Sequence, residues 1–451
     1  MIRSIFNKST FRFVVFLILL FALITLGNFW LVNTDSVTAK TVLEMQARND
    51  IELAVVGSSV VRDHFNQQLI SEETGKKSFS VTVPGSGFQT FLAVTEEMYK
   101  TSSPEWVVLV VEPYNFNTAR EDPQPYYKLF PWLTGLATRY DYYLQTAKQD
   151  GYWLDRAVIM RDFPARTLKE LRKTIGMRLS PDSTFRSLVD EIKEDDAEYM
   201  GLGFLRHESD ADMTDTIRQE MLAEKDLGYA YSLLPDSKQM LLQMRDLVLS
   251  HGSHFSVVIS DNHTSHALAE PEYLRYMQNL MVFCAENEME CYNFFYAKEE
   301  FLPNLDSYFF DLYHMTGEGA DIVSRAFARL INALSAGEDV SSWFFEKDWQ
   351  YRETITWIVN TWIHPKGDIT YKAGCNTGSL VHPQYRFSLL DEAKKEVTLR
   401  DWDKDPEIQV ELNPGENLRV YAKLTEYPDQ EPVWFDYPDD YGYAKEHQHL
   451  Y

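Results

Sequence analysis

The sequence predicts an α/β fold built on a doubly wound, five-stranded parallel sheet. The first sign is a set of short apolar runs at 51–56 (IELAVV), 79–83 (FSVTV), 106–111 (WVVLVV), 254–259 and 290–295. They are rich in Val, Ile and Phe and mostly continuous rather than alternating, as strands covered on both faces are. Helical spacing fills the gaps between them, at 60–70, 88–99, 237–250 and 271–286, and again at 317–334 after the last. Proline or glycine closes two of the runs, at Pro84-Gly85 and Pro113. Right-handed crossovers between such strands give one sheet with helices on both sides, and ligands bind at the carboxyl edge of such sheets.

The chain before the first strand decides the compartment. Residues 13–26 are apolar except for Thr25, and weaker apolar sequence runs on to 32. About 20 such residues cross a bilayer as a helix. Arg3, Lys8 and Arg12 precede the run, so the positive-inside rule keeps residues 1–12 cytoplasmic and sends the remainder across. The run is longer than the apolar part of a signal peptide, and no clear small-x-small cleavage site follows closely, which favours an uncleaved anchor at 13–32. Residues 33–50 are polar and helix-forming and read as a stalk.

The α/β rhythm occupies 51–334 and is interrupted from about 118 to 234. There Tyr, Trp, Arg and Lys mix with helical runs such as 165–175 and 185–192, too long a stretch for a plain crossover. It reads as a mostly helical insertion carrying substrate or partner contacts. Beyond 335 the texture changes to short runs at 354–363, 368–372, 384–390, 396–400, 407–412 and 417–424, parted by Pro, Gly, Asp or Asn. This pattern predicts a C-terminal antiparallel β-sandwich over 335–451, with an acidic, aromatic and poorly patterned tail after Tyr427.

Composition narrows the function classes. The 451 residues are 45% hydrophobic with a net charge of −25. Such an excess of acid argues against a nucleic-acid or anionic-lipid surface, since both need clustered Lys and Arg. The three cysteines, Cys284, Cys291 and Cys375, show no metal-ligand spacing. Cys284 and Cys291 suit either a disulfide in an exported chain or buried thiols.

Two short stretches carry chemistry. Gly57-Ser58-Ser59 closes the first strand, and Asp311-Leu312-Tyr313-His314 follows the fifth, just before a helix. A parallel sheet brings such ends together. Asp311, three residues before His314, is placed to hold one ring nitrogen while the other deprotonates Ser59. Ser59 falls where a helix should start, so its backbone N–H is free of the helix ladder and available to an oxyanion. Two further donors come from the ends of strands two and three: Gly85, where the backbone can approach a substrate, and the Asn115 side-chain amide. Gly87 and Asn117 are alternatives for those two places.

The order Ser, Gly, Asn, Asp-x-x-His at successive strand ends resembles the SGNH/GDSL hydrolase superfamily, over 51–334 without the insertion. Gly57-Ser58-Ser59 stands for its first block, with Ser in place of the acidic middle residue; Gly85, Asn115 and Asp311 with His314 match the others. The resemblance implies a flavodoxin-like α/β fold, Ser59 as nucleophile, His314 as general base, Asp311 as its orienting partner, an oxyanion hole of Ser59, Gly85 and Asn115, and no cofactor. An N-terminal anchor on such a domain is similar to membrane-tethered relatives, the D-alanyl-transfer protein of teichoic acids and the alginate O-acetylation proteins. Those relatives imply an acylated glycan or lipid-linked polymer as substrate and a membrane-bound O-acyltransferase as partner, on the outer side of the cytoplasmic membrane.

Other signals give way to simpler readings. His251, His254, His263 and His266 surround the fourth strand without a carboxylate at metal-ligand spacing. Asp401, Asp403 and Asp405 open like a calcium loop, but Pro406 and Leu412 occupy the places of its Gly and Glu. Gly201 and Gly203 lack the third glycine of a dinucleotide fingerprint. Tyr126 to Trp132, with Tyr140, Tyr142 and Tyr143, can stack on sugar rings, although insertion core is the plainer reading. The sequence thus points to an anchored esterase or O-acyltransferase. The competing class is a catalytically inactive scaffold for a membrane-bound acyltransferase, in which Ser59 and Asp311 merely cap helices.

Overall fold

Five parallel strands carry the α/β part of the molecule. The computed structural model describes residues 8–32, 37–112, 114–117, 123–150, 153–162, 164–179, 193–194, 197–208, 233–264, 267, 271–311, 313–358 and 360–437. Strands β1 (Leu53–Gly57), β2 (Ser78–Thr82) and β3 (Trp106–Val111) come first. Strands β4 (Lys193–Glu194), β5 (Ala197–Gly201) and β6 (Phe204–His207) lie in the inserted segment, and β7 (His254–Ile259) and β8 (Glu290–Asn293) return to the main sheet. Its order is β2-β1-β3-β7-β8, with every neighbouring pair parallel. The order therefore reverses between β1 and β3, and the crevice at such a point, beyond the carboxyl ends, is the ordinary ligand site of open α/β sheets.

Alternate residues of each strand face opposite layers, which is why the runs are apolar throughout. Ala54, Val56, Val107, Leu109 and Val257 pack on one side, beneath the helices Phe88–Met98, Pro235–Ser250 and Pro271–Glu286. Leu53, Val55, Val108, Val110 and Val258 pack on the other, against helices led by Val61, Ile70, Phe327 and Leu330. The helix expected over 60–70 is two helices, Ser59–His64 and Gln67–Thr74. Asn66 breaks them: its backbone is extended, and its side chain caps the second by accepting from Leu69 N at 3.3 Å.

The N-terminal helix, Lys8–Leu31, contains within 10–31 an 18-residue window of mean hydropathy 2.5, almost none of it buried, long and apolar enough to cross a membrane. The expected stalk is corrected in part. Residues Val37–Ala47 form a helix buried against the body, with Val42 and Met45 in the main core. Glu44 ties it to the insertion, accepting from Tyr199 Oη at 2.7 Å and Leu202 N at 3.0 Å.

The insertion also differs from the mostly helical expectation. Helices Leu136–Asp150 and Leu168–Leu179 are present, but β4, β5 and β6 form an antiparallel sheet. Its tight turn docks on the free edge of β2, where Ser80 N donates to Leu202 O at 2.9 Å. Gly203 is required there, since its φ is +80° and a Cβ would overlap the Ser80 carbonyl. Sequence alone favoured helix because docking onto a distant strand leaves no local signal. The helix expected at 185–192 lies outside the described residues.

The C-terminal part has strands β9 (Asn360–Pro365), β10 (Thr370–Asn376), β11 (Pro383–Leu390), β12 (Glu396–Asp403), β13 (Glu407–Gln409), β14 (Asn417–Leu424) and β15 (Val433–Tyr437). They form antiparallel sheets β13-β10-β9 and β12-β11-β14-β15, which share a core through Ile363, Tyr371, Phe387, Val420 and Phe435. The poorly patterned tail is thus corrected in part, because β15 completes the larger sheet and buries Phe435.

Candidate active site

Ser59 owes its position to a crowded strand end. At Gly57, the last residue of β1, a Cβ would overlap the Val61 side chain and approach the Val110 carbonyl, so only glycine lets the helix start this close to β3. Ser58 caps that helix, its Oγ accepting from Val60 N at 3.4 Å. The same hydroxyl donates to the buried Glu112 carboxylate just past β3. Ser59 follows as the first helical residue, half-buried and facing the carboxyl edge.

His314 is presented by a tight return of the chain. Asp311 Oδ1 accepts from Tyr313 N at 2.8 Å and His314 N at 2.7 Å, and Phe310 N donates to His314 O at 3.0 Å. The other Asp311 oxygen, Oδ2, lies 2.7 Å from His314 Nδ1, which fixes the ring and its tautomer. His314 Nε2 is 2.8 Å from Ser59 Oγ. The three side chains sequence reasoning grouped are therefore in direct contact, and Asp311 and His314 keep 23% and 22% of their side-chain surface open.

Of the two other candidates, Asn115 is tied to the site through the strand ends. Asn115 is buried, with Oδ1 accepting from Glu112 N at 2.8 Å and Nδ2 donating to Ser86 O at 3.1 Å. Ser58, Glu112, Asn115 and Ser86 thus link the ends of β1, β3 and β2 in one hydrogen-bonded chain. Gly85 has φ +72°, and the position a Cβ would take meets nothing nearer than Pro125 Cγ at 4.0 Å. Of the alternatives, Gly87 caps the helix Phe88–Met98, and the Asn117 side chain lies outside the described residues.

Two neighbours of these side chains escaped sequence reasoning. Asp63, one helical turn beyond Ser59, is buried and places Oδ2 at 3.8 Å from His314 Nε2. Arg62 holds it from one side through two contacts at 2.6 and 2.9 Å, and His207 of β6 approaches its Oδ1 to 3.5 Å from the other. The four-residue spacing from Ser59 was available as a signal for Asp63. Nothing in the sequence signals His207, since the insertion reaches the site only in three dimensions. Arg206 fastens that strand, with Nη1 at 3.0 Å from Oδ2 of Asp321 on the helix Gly317–Ser335.

The carboxylates set the site's electrostatics. Burial alone pulls the His314 imidazole down, but the hydrogen bond and charge of Asp311, with Asp63 and Glu112 behind them, outweigh it and raise its pKa above the usual 6.5. For Asp63, the charge and hydrogen bonds of Arg62, His207 and His314 overcome burial and hold the carboxyl well below the usual range. His64 behaves oppositely, since burial and the nearby His314 pull it down to about 3, so it stays neutral.

Among the described residues, the histidines around the fourth parallel strand and the cysteines show no such arrangement. His251 stacks on Tyr99 with ring centroids 3.9 Å apart, and His254 on Trp106 at 4.7 Å. His263 lies edge-on to Phe309, and His266 is outside the described residues. Among the described residues no group of His, Cys, Asp and Glu is arranged to hold a metal ion. Cys284 and Cys291 are free thiols in mutual contact, and that hydrogen bond, with burial, pushes the Cys291 thiol up. Tyr126, Tyr127, Trp132 and Tyr142 are buried in the core, while Tyr140 is exposed.

No family model matches this chain, and no curated protein matches it. A hydroxyl, an imidazole and a carboxylate in series, at the open edge of a parallel sheet, can transfer a proton from the hydroxyl as it attacks an electrophilic carbon.

Proposed function

We propose that the chain is a membrane-anchored, extracytoplasmic serine esterase or O-acyltransferase of the SGNH type. Its substrate would be an acylated cell-envelope polysaccharide or lipid-linked polymer, handled beside a membrane-bound O-acyltransferase. The observation that supports this most is the Ser59 Oγ to His314 Nε2 contact of 2.8 Å, continued from Nδ1 to Asp311 at 2.7 Å. Ser59 Oγ attacks the ester carbonyl while its proton passes to His314 Nε2. The tetrahedral oxyanion is met by the Ser59 and Gly85 N–H groups and the Asn115 amide. Collapse of this intermediate expels the alcohol, which takes the proton from His314, and leaves an acyl-Ser59 ester. Water then completes hydrolysis, or a sugar hydroxyl completes transfer, with His314 again taking the proton. The apolar helix Lys8–Leu31, with Arg3, Lys8 and Arg12 at its cytoplasmic end, supports the anchor and its orientation.

A serine-reactive fluorophosphonate tests the reading on the full chain in detergent or nanodiscs. Wild type is expected to label and to hydrolyse acetyl esters, and Ser59→Ala to do neither. Equal labelling of both, or no labelling and no turnover in wild type, would favour the inactive-scaffold reading.

A further inference from the structure

The strongest feature outside the site is a basic helix fastened to the end of the apolar N-terminal helix. We propose that the face of Leu168–Leu179 bearing Leu168, Arg172 and Leu179 docks on anionic phospholipid headgroups of the bilayer that Lys8–Leu31 spans. This rests on the anchor reading and goes beyond it.

The attachment is specific. Asn28 Nδ2 donates to Ala157 O at 2.7 Å, and Met160 N donates to Asn28 Oδ1 at 3.1 Å. Ala165 N donates to Leu31 O at 2.7 Å, and Val32 pairs with Pro164 in an antiparallel bridge. Gly27 permits the close approach, since a Cβ there would overlap the Met160 sulfur. Thr174 is fully buried, and its Oγ1 donates to Val32 O at 3.4 Å. Residues that bond to positions 28–32 of a spanning helix sit where the hydrocarbon ends and headgroups begin.

The opposite face of Leu168–Leu179 is built for that layer. Spacings of four and eleven residues put Leu168, Arg172 and Leu179 within about 40° of one another on a helix. Leu168 is 75% exposed and Leu179 67%, and Arg166, Lys169 and Arg172 are exposed as well. Residues 153–179 hold seven Lys or Arg against three Asp or Glu, in a chain whose net charge is −25. The overall charge therefore hides a local reversal of sign, and the acidity of the whole chain does not exclude an anionic lipid surface at this segment. Exposed leucines beside basic side chains are the composition of interfacial helices, which gain from apolar insertion and from anionic headgroups together. A single spanning helix leaves the body free to tilt and rotate, and a second contact beside its exit removes that freedom.

Hydrogen exchange of the full chain tests this in nanodiscs of phosphatidylcholine alone or mixed with phosphatidylglycerol. Amides of 168–179 are expected to exchange roughly tenfold more slowly over the anionic lipid, and Lys169→Glu/Arg172→Glu to abolish the difference. Equal exchange in both lipids, with 13–26 protected, overturns the docking proposal alone. Rapid exchange of 13–26 overturns the anchor on which it rests.

Discussion

Ser59 Oγ and His314 Nε2 lie 2.8 Å apart although 255 positions separate them in the chain. The sheet order makes this possible, because β1 is an interior strand, between β2 and β3, and the helix following His314 packs on the face that covers it. If this contact is the nucleophile and its base, its neighbours carry specific consequences.

Asp311→Asn tests orientation apart from folding. Its Oδ1 accepts two backbone N–H bonds, which an amide oxygen can keep, while the amide nitrogen then faces His314 Nδ1 and demands the wrong tautomer. Ester turnover should fall about ten-thousandfold, with KM and the melting temperature near wild type. An unchanged kcat would remove Asp311 from the mechanism.

The pH profile should carry the mark of the surrounding carboxylates. A general base acts when neutral, and His314 is raised above the usual 6.5, so kcat/KM should fall through an acid limb lying above that pH. Asp63→Asn withdraws one of the charges that raise it, so the limb should move to lower pH. A pH series on both proteins reads this directly. Movement toward higher pH would contradict the assigned influence of Asp63.

Ser58→Ala should cost stability more than chemistry. The hydroxyl caps the helix that begins at Ser59 and donates to the buried Glu112. Losing a cap and a donor to a buried carboxylate should destabilise the fold by about 1–3 kcal/mol, read by denaturant unfolding. Labelling at Ser59 should persist, which separates the two adjacent serines.

Gly57→Ala should damage both properties. The added methyl would press on Val61 and the Val110 carbonyl, displacing the helix start that carries Ser59. A loss of roughly 1–3 kcal/mol is expected with a disproportionate fall in kcat. Wild-type activity in this variant would show that the strand end tolerates movement.

The core sheet, the apolar N-terminal helix and the three residues in contact at the sheet edge were all legible in the linear chain. A strand buried on both faces needs an unbroken run such as Trp106–Val111, and the carboxyl ends of parallel strands must share one rim. Three features became visible only in the folded molecule: Asp63 stands beside His314 with His207 against it, Val37–Ala47 packs into the body, and β15 completes its sheet. Periodicity reports how much of a segment is buried, not what buries it. His207 arrives on a strand of the insertion, and Arg206–Asp321, an ion pair between residues 115 apart, holds that strand there.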